Sequence, residues 1–507
     1  MNRSNYQAGV RATLGIAALL LVSACGQKQE ATMPAAETKA MPAMSAEIPI
    51  TTSSEEARAL FLEGRALLDN LHRTEAHEKF VAAAAADPEF ATAHVAVATT
   101  ALSNGEFFDA IGKAKATAAN ASAGEQLFVQ AWVAVSENDQ AAQGAALKKL
   151  LAMYPKDPRS HTALGNFLNG QQDFAGAAEH FGHATELAPE WASAYNNLGY
   201  AYRSLDQLDK AKAAFEKYVE LLPNEPNPQD SLAELLMEMG DYEGSIQHYQ
   251  MALDSDPNFA SAHAGVSLNY SLMGDADKAQ EAAGKMLAAA RNSAEEQNAM
   301  FVAMAASIYA GDNEAAVQTG TDIAAKAEAS GDLAAAGGAQ QYIGDVMLNS
   351  DEAAKAAEHY GLALELRQRS NINDANKAQA KRGYMFKMAI AAMVAEDFET
   401  AGERTAKYVA AVEEDGTAFE RRRAHELTGY MAMINDDMEA GLEHLAQANQ
   451  QNPHVLYWSA VANNSLGNKD KAIELVTRAA NRNTLSPDLP FVRAKALEAL
   501  ASLQEEA

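Results

Sequence analysis

Small and large apolar residues recur along the chain at fixed distances from a set of prolines. Pro155, Pro189, Pro223 and Pro257 fall 34 residues apart, Pro88 stands 67 before the first, and Pro453 is a later echo. Counting back 24 residues from each gives Gly64, Ala131, Gly165, Gly199, Ala233 and Gly429, all small. Counting back eight gives Phe80, Leu147, Phe181, Phe215, Tyr249 and Leu445, all large. Positions twelve back (Ala76, Ala177, Ala211) and five back (Ala83, Leu150, Ala184) complete a stripe at helical spacing. The pattern predicts pairs of short amphipathic helices. In the turn between them, as at Gly240-Asp241, Gly274-Asp275 and Gly311-Asp312, glycine ends the first helix and aspartate caps the second. The proline closes the second helix, because it lacks the next donor and disfavours helix in the residue before it. The bulky residue is expected to fill the space between one hairpin and the next. Helices this short do not persist alone in water, so stability has to come from stacking neighbours.

The segment Ala192 to Pro223, with Tyr195-Asn196-Asn197-Leu198-Gly199-Tyr200 in its first half and Phe215-Glu216-Lys217-Tyr218 in its second, resembles the tetratricopeptide repeat. The resemblance is strong over 54–291 and weaker over 292–484, where Gln341-Tyr342-Ile343-Gly344 with His359-Tyr360, and Glu396-Asp397-Phe398, mark later units. It implies an all-α, right-handed superhelical solenoid of about twelve hairpins. Ser486-Pro487-Asp488-Leu489-Pro490 breaks the pattern, so 485–507 reads as a polar-ended C-terminal capping helix.

Composition agrees with helices: 48% hydrophobic, 7% aromatic and only 14 prolines. A net charge of −28 argues against nucleic-acid binding, which needs cations to replace counterions. The single cysteine, Cys25, excludes a disulfide framework. It ends a segment in which Arg3 and Arg11 precede an apolar run from Ala12 to Leu21 and then Val22-Ser23-Ala24-Cys25. That run is short for a membrane span. The segment resembles the lipobox of bacterial lipoproteins, which implies cleavage after residue 24 and lipidation of Cys25. Gly26, in place of aspartate, implies the outer membrane, with the body in the periplasm. Residues 26–53, with Pro34, Pro42 and Pro49 and no apolar period, read as a disordered tether. Met33, Met41 and Met44 within it are read as composition rather than as a metal site.

The first helix of each tetratricopeptide pair lines a concave groove in which peptides lie. By that resemblance the groove shows Arg159, Thr162, Asn166, Ser193, Asn196, Asn197, Tyr200 and Arg203, then Asn227, Asp230, Ser231 and Glu234. Asn166, Asn196, Asn197, Tyr200 and Arg203 are the candidate peptide contacts, since asparagine can both donate to and accept from a backbone. Asn166 and Asn197 match the asparagines of the family's carboxylate clamp, but Thr162, Asn227 and Ser231 stand where its cations belong, so a clamp is not expected. His180 and His183, three apart, have a possible ligand spacing, but His161, His180, His248, His359, His425 and His444 recur with the repeat and read as packing residues about a repeat-width or more apart, so a metal site is not expected. Arg421-Arg422-Arg423 reads as a solvated helix face. No phosphate loop, nucleophile elbow or cysteine in the body suggests catalysis or a cofactor. The expectation is a non-enzymatic, lipid-anchored scaffold that binds a protein or peptide segment and supports an envelope complex. The alternative is a surface glycan-binding lipoprotein. Sugar sites lean on aromatic stacking, and the chain has only Trp132, Trp191 and Trp458.

Overall fold

The computed structural model describes residues 47–505 apart from 70–71, 102–103, 138, 292, 373 and 483–488. The segment 1–24, Cys25, the tether to residue 46 and Ser486-Pro487-Asp488 lie outside the described residues. Among the described residues there are twenty-five α-helices, eleven sequential pairs of which pack as hairpins. The first five hairpins are α1 (Glu55–Asp69) with α2 (Arg73–Ala86), α3 (Ala91–Thr100) with α4 (Asn104–Thr117), α5 (Ala123–Ser136) with α6 (Gln140–Met153), α7 (Pro158–Gly170) with α8 (Phe174–Leu187), and α9 (Ala192–Ser204) with α10 (Leu208–Leu221); α11 (Pro226–Glu238) and α12 (Tyr242–Ser255) follow. Next come α13 (Ala260–Met273) with α14 (Ala276–Ala289), α15 (Ser293–Tyr309) with α16 (Asn313–Ala329), and α17 (Leu333–Asn349) with α18 (Ala353–Arg369). The last are α19 (Asp374–Val394) with α20 (Phe398–Asp415), α21 (Ala418–Ile434) with α22 (Met438–Leu445), and α23 (Pro453–Ser465) with α24 (Lys469–Asn481), before α25 (Leu489–Glu505). Two compact units divide the described residues, one running as far as Leu235 and the other starting at Leu236.

The local rules hold at the turns. Gly240, Gly274 and Gly311 are left-handed, with φ of +83°, +80° and +77°, and the carboxylates of Asp241, Asp275 and Asp312 accept the N3 backbone N–H of the helix that follows. Where glycine is missing, Gln172, Glu396 and Asp436 take the same positive φ. The small-and-large rule also holds, with one correction. The bulky residue does not sit only between hairpins; it presses on the glycine of its own first helix. A Cβ on Gly64, Gly165 or Gly199 would lie 2.7, 2.7 and 2.5 Å from the ring of Phe80, Phe181 or Phe215. All three rings are buried.

In the unit that runs as far as Leu235, the tether's end departs from the expected disorder. Residues 47–53 form neither helix nor strand, and their exposure alternates: Glu47, Pro49, Thr51 and Ser53 are exposed, while Ile48, Ile50 and Thr52 are half-buried. Distant hairpins of this unit also meet. Arg159 Nη2 is 2.7 Å from Asp69 Oδ2, and His72 Nε2 is 3.2 Å from Glu225 Oε2.

In the unit from Leu236, α25 packs on α23 and α24 as a cap should, but it also returns to the unit's beginning. Arg482 Nη1 lies 3.0 Å from Glu238 Oε1, and Arg493 Nη2 donates to the Tyr242 hydroxyl at 3.2 Å. Phe491 packs beside Met304, Ile308 and Val346. The expected terminal cap is therefore also a brace across this unit. Among the described residues no helix is long and apolar enough to cross a membrane.

Candidate functional site

The predicted groove residues divide into two groups. Asn196, Tyr200 and Arg203 on α9 meet Ser231 and Glu234 on α11. The Tyr200 hydroxyl donates to Ser231 Oγ at 3.3 Å and to Glu234 Oε2 at 3.1 Å. Arg203 Nη1 pairs with Glu234 Oε2 at 2.8 Å, and Ser231 Oγ donates to Asn196 Oδ1 at 3.1 Å. These three candidates are used to join adjacent hairpins. Burial, then the neighbouring Glu234 charge, raise the Tyr200 phenol pKa. The same two causes, in that order, push the Asp230 carboxyl up to about 8. Asn166 is exposed and Asn197 half-buried, and neither joins this network. Arg159, bound to Asp69, also lies 4.7 Å over the Trp191 ring.

A second site went unrecognised in the sequence. It is where 47–53 crosses the N-terminal ends of α3, α5 and α7. Three carboxylates hold the segment: Asp157 and Glu125 each divide their oxygens between their own helix start and this segment, and Asp87 between the turn before α3 and this segment. Asp157, the N-cap of α7, accepts Arg159 N–H on Oδ1 at 2.8 Å and Ile48 N–H on Oδ2 at 2.7 Å. Glu125, in the capping box of α5, accepts Ser122 N–H on Oε2 at 2.9 Å and Thr51 N–H on Oε1 at 2.8 Å. Asp87, just before α3, accepts Glu89 N–H on Oδ1 at 3.0 Å and the Thr52 hydroxyl on Oδ2. The Thr52 bond, against the cost of burial, holds the Asp87 carboxyl below its ordinary pKa. Between these anchors, Ile48 packs against the buried cluster that holds Leu147, Leu150 and Tyr154, and Ile50 against the one that holds Phe61, Phe80 and Phe90.

The order of the anchors is the reverse of the hairpin order. Ile48 and Thr51 are three residues apart, about 10 Å of extended chain, which matches the spacing of packed helices. Pro49 falls on the outward face. There its missing N–H costs nothing, and its ring biases Ile48 toward the extended conformation. The sequence signals here are local ones: Asp-Pro pairs at 87–88 and 157–158 and the capping-box spacing Ser122 to Glu125, none of which points to residues 47–53.

The histidines are closer together than expected. His161 Nδ1 is 3.3 Å from His180 Nδ1, and His425 Nδ1 is 3.1 Å from His444 Nδ1, each pair joining the two helices of one hairpin. His359 makes the equivalent contact to Gln340 Oε1 at 2.8 Å. All three pairs are 19 residues apart, a regularity the proline-based count had hidden. Burial first, then the partner imidazole, lower the His180 and His425 pKa values. His94, His161 and His263 each place Nε2 against the carbonyl of the proline six residues earlier, at 2.8, 3.1 and 3.0 Å. Among the described residues no three His, Cys, Asp or Glu side chains gather as a metal site.

The basic run is not a solvated face. Arg421 is exposed, but Arg423 is buried with its guanidinium 4.3 Å over Phe386 and 5.0 Å over Phe419, and Arg422 is half-buried. The tryptophans serve packing. Trp458 is buried beside Tyr430 and Tyr457, Trp132 packs among Phe90, Val95 and their neighbours, and Trp191 lies under Arg159.

Two models of the tetratricopeptide repeat match the chain, one over 192–225 and 230–259 and the other over 61–125. Cellulose synthase operon protein C of Xanthomonas axonopodis pv. citri (strain 306) is 29% identical over 174 residues, 32% of this chain. The chain spans 11% of that relative's length. Of solved structures, a tetratricopeptide repeat protein from Parabacteroides merdae is similar at 14% identity over 52% of this chain and 98% of its own, with a TM-score of 0.39. The APC/C hetero-tetramer Cut9-Hcn1 gives 14% identity over 83% and 76%, with a TM-score of 0.39. The pilF protein of Pseudomonas aeruginosa gives 20% identity over 48% and 96%, with a TM-score of 0.29. The matched stretches 61–125, 192–225 and 230–259 are thus tetratricopeptide repeats, carried in an all-α array of helix hairpins.

Proposed function

We propose that the protein is a non-enzymatic scaffold, anchored by lipid on Cys25 in a bacterial envelope with its body in the periplasm. It holds an extended segment of a partner protein across the N-terminal ends of α3, α5 and α7, and so supports an envelope complex. The observation that carries this reading is the seating of 47–53. The surface binds main-chain N–H with carboxylates and takes alternate apolar side chains between hairpins, which is how a groove reads an extended chain. A partner segment of the same chemistry, β-branched or apolar at alternate positions, takes that place by displacing 47–53. The side chains of Asn196, Tyr200 and Arg203 then act as braces for the array, with Asn166 and Asn197 at the edge of the bound partner.

The test uses the full chain and a fluorescent peptide with the sequence of residues 46–54. The Ile48→Asp/Ile50→Asp variant vacates the surface, because two charges cannot be buried against the clusters that hold Phe61, Phe80 and Tyr154. Fluorescence anisotropy is expected to show binding to the variant and at least about tenfold weaker binding to the wild type. A peptide carrying the same two aspartates should not bind either chain. Equal binding to both chains, or none to the vacated one, overturns the reading.

A further inference from the structure

The segment-binding surface begins beside two arginines. Arg159 stands in the first turn of α7, two residues after Asp157, whose Oδ2 accepts the Ile48 N–H. Its Nη2 is 2.7 Å from Asp69 Oδ2, so this cation has its anion. Arg65, one helical turn before Asp69 on α1, does not. Among the described residues no carboxylate lies within ion-pair distance of it. The Phe61 ring is 5.8 Å from its Cζ, and its Nε is buried without a hydrogen-bond partner. A second donor of this neighbourhood is also unmet. The buried indole N–H of Trp191, the residue under Arg159, has no acceptor.

The electrostatics agree with the geometry. Burial first, then the Arg159 charge, push the Arg65 pKa down to about 10, against the fields of Asp69, Asp157 and Glu47. A guanidinium is this acidic only where the anions around it fall short of what it lost in leaving water. Two of those anions are fixed parts of the array: Asp69 holds Arg159, and Asp157 holds two backbone N–H groups. Glu47 is the one that can change. It is exposed, it directly precedes Ile48, and it belongs to the segment that a partner displaces. When 47–53 leaves, the Glu47 charge leaves with it, and the residue that takes its place decides whether that field returns.

We propose that Arg65, with Arg159 beside it, selects the charge of the residue that a bound segment places at the Glu47 position, so that the partner carries an aspartate or glutamate directly before its first apolar residue. This rests on the segment-binding reading and adds a charge to the partner's alternating apolar pattern. A lysine there sets a third cation beside two arginines, and like charges brought together at an interface reject the wrong partner. The selection runs against the field of the whole protein, whose net charge of −28 favours a cationic segment. A preference for the acid therefore has to come from the local arginines.

Three fluorescent peptides of residues 46–54, the natural one and its Glu47→Gln and Glu47→Lys forms, test this by anisotropy against the full-length Ile48→Asp/Ile50→Asp chain. Affinity is expected to fall in the order Glu, Gln, Lys, with the first and last at least about tenfold apart. Arg65→Met in the same chain keeps the stem and removes the charge, and should shrink that ratio to under about threefold. Arg65→Gln serves the same purpose if the methionine chain does not fold. Equal affinity for the three peptides, a preference for lysine, or a ratio unchanged in the Arg65 variant overturns the inference and leaves the segment-binding reading standing. Binding of none of the three overturns both.

Discussion

Methionine at position 387 is expected to destabilise the unit from Leu236 by about 3–5 kcal/mol, the range for removing one partner of a buried ion pair. Lys387 is 2% exposed and Asp345 0%, so water cannot replace the lost ammonium. The Tyr360 hydroxyl remains on Asp345 Oδ1, while Asp345 Oδ2 has no hydrogen-bond partner. Burial already raises the Asp345 pKa against the opposing pull of Lys387 and Tyr360, and without Lys387 it rises further. A carboxyl with a raised folded pKa binds its proton more tightly folded than unfolded. Its stabilising contribution is therefore full below the unfolded value and is lost as pH rises through the folded one. The deficit of Lys387→Met should thus be smaller at pH 5 than at pH 8. Urea unfolding at the two pH values measures it. Lys387→Met/Asp345→Leu, which removes both charges, should recover most of the loss. Lys471→Met, at a pair with both side chains half exposed, should cost under about 1 kcal/mol. A Lys387 variant as mild as the Lys471 one contradicts the buried pair.

Cys25→Ser is expected to move the protein completely from the membrane fraction to the soluble fraction, and to abolish incorporation of radiolabelled fatty acid. Cleavage before residue 25, as proposed, would remove Arg3 and Arg11 and no acidic residue, leaving a chain even more acidic than the −28 of the whole sequence. An anionic lipid surface repels such a body, and acyl chains must supply the attachment. Each buried methylene contributes about 0.8 kcal/mol, and one chain gives only marginal binding. If acyl chains on Cys25 supply the attachment, serine at this position removes it. A serine variant that stays in the membrane pellet contradicts the anchor.

The helices α1 to α14 could be read from the chain because they are mostly 13 or 14 residues long and prolines punctuate them. The glycine-to-phenylalanine distance of 16, as at Gly199 and Phe215, carried the packing as well. The later hairpins looked degenerate for a geometric reason. α15 to α18 are each 17 residues long, and α19 has 21, so each helix gains about a turn or more. The period lengthens and the prolines disappear, although Gly344 still meets Tyr360 at the same distance of 16. The candidate site was less legible. Asn196, Tyr200 and Arg203 stand where groove residues belong, but whether a polar side chain faces a partner or its neighbouring hairpin depends on what lies one repeat away, here Ser231 and Glu234. Residues 47–53 looked like tether because their alternation spans only seven residues. Their acceptors, Asp87, Glu125 and Asp157, are 35 to 109 residues away.

Amide hydrogen exchange across residues 47–54 of the full chain tests most directly whether the array holds an extended segment. The account predicts slow exchange at Ile48 and Thr51, whose N–H groups face Asp157 and Glu125, and the loss of that protection in the Ile48→Asp/Ile50→Asp chain. Exchange of both amides at the rate of a free peptide in the wild-type chain contradicts it.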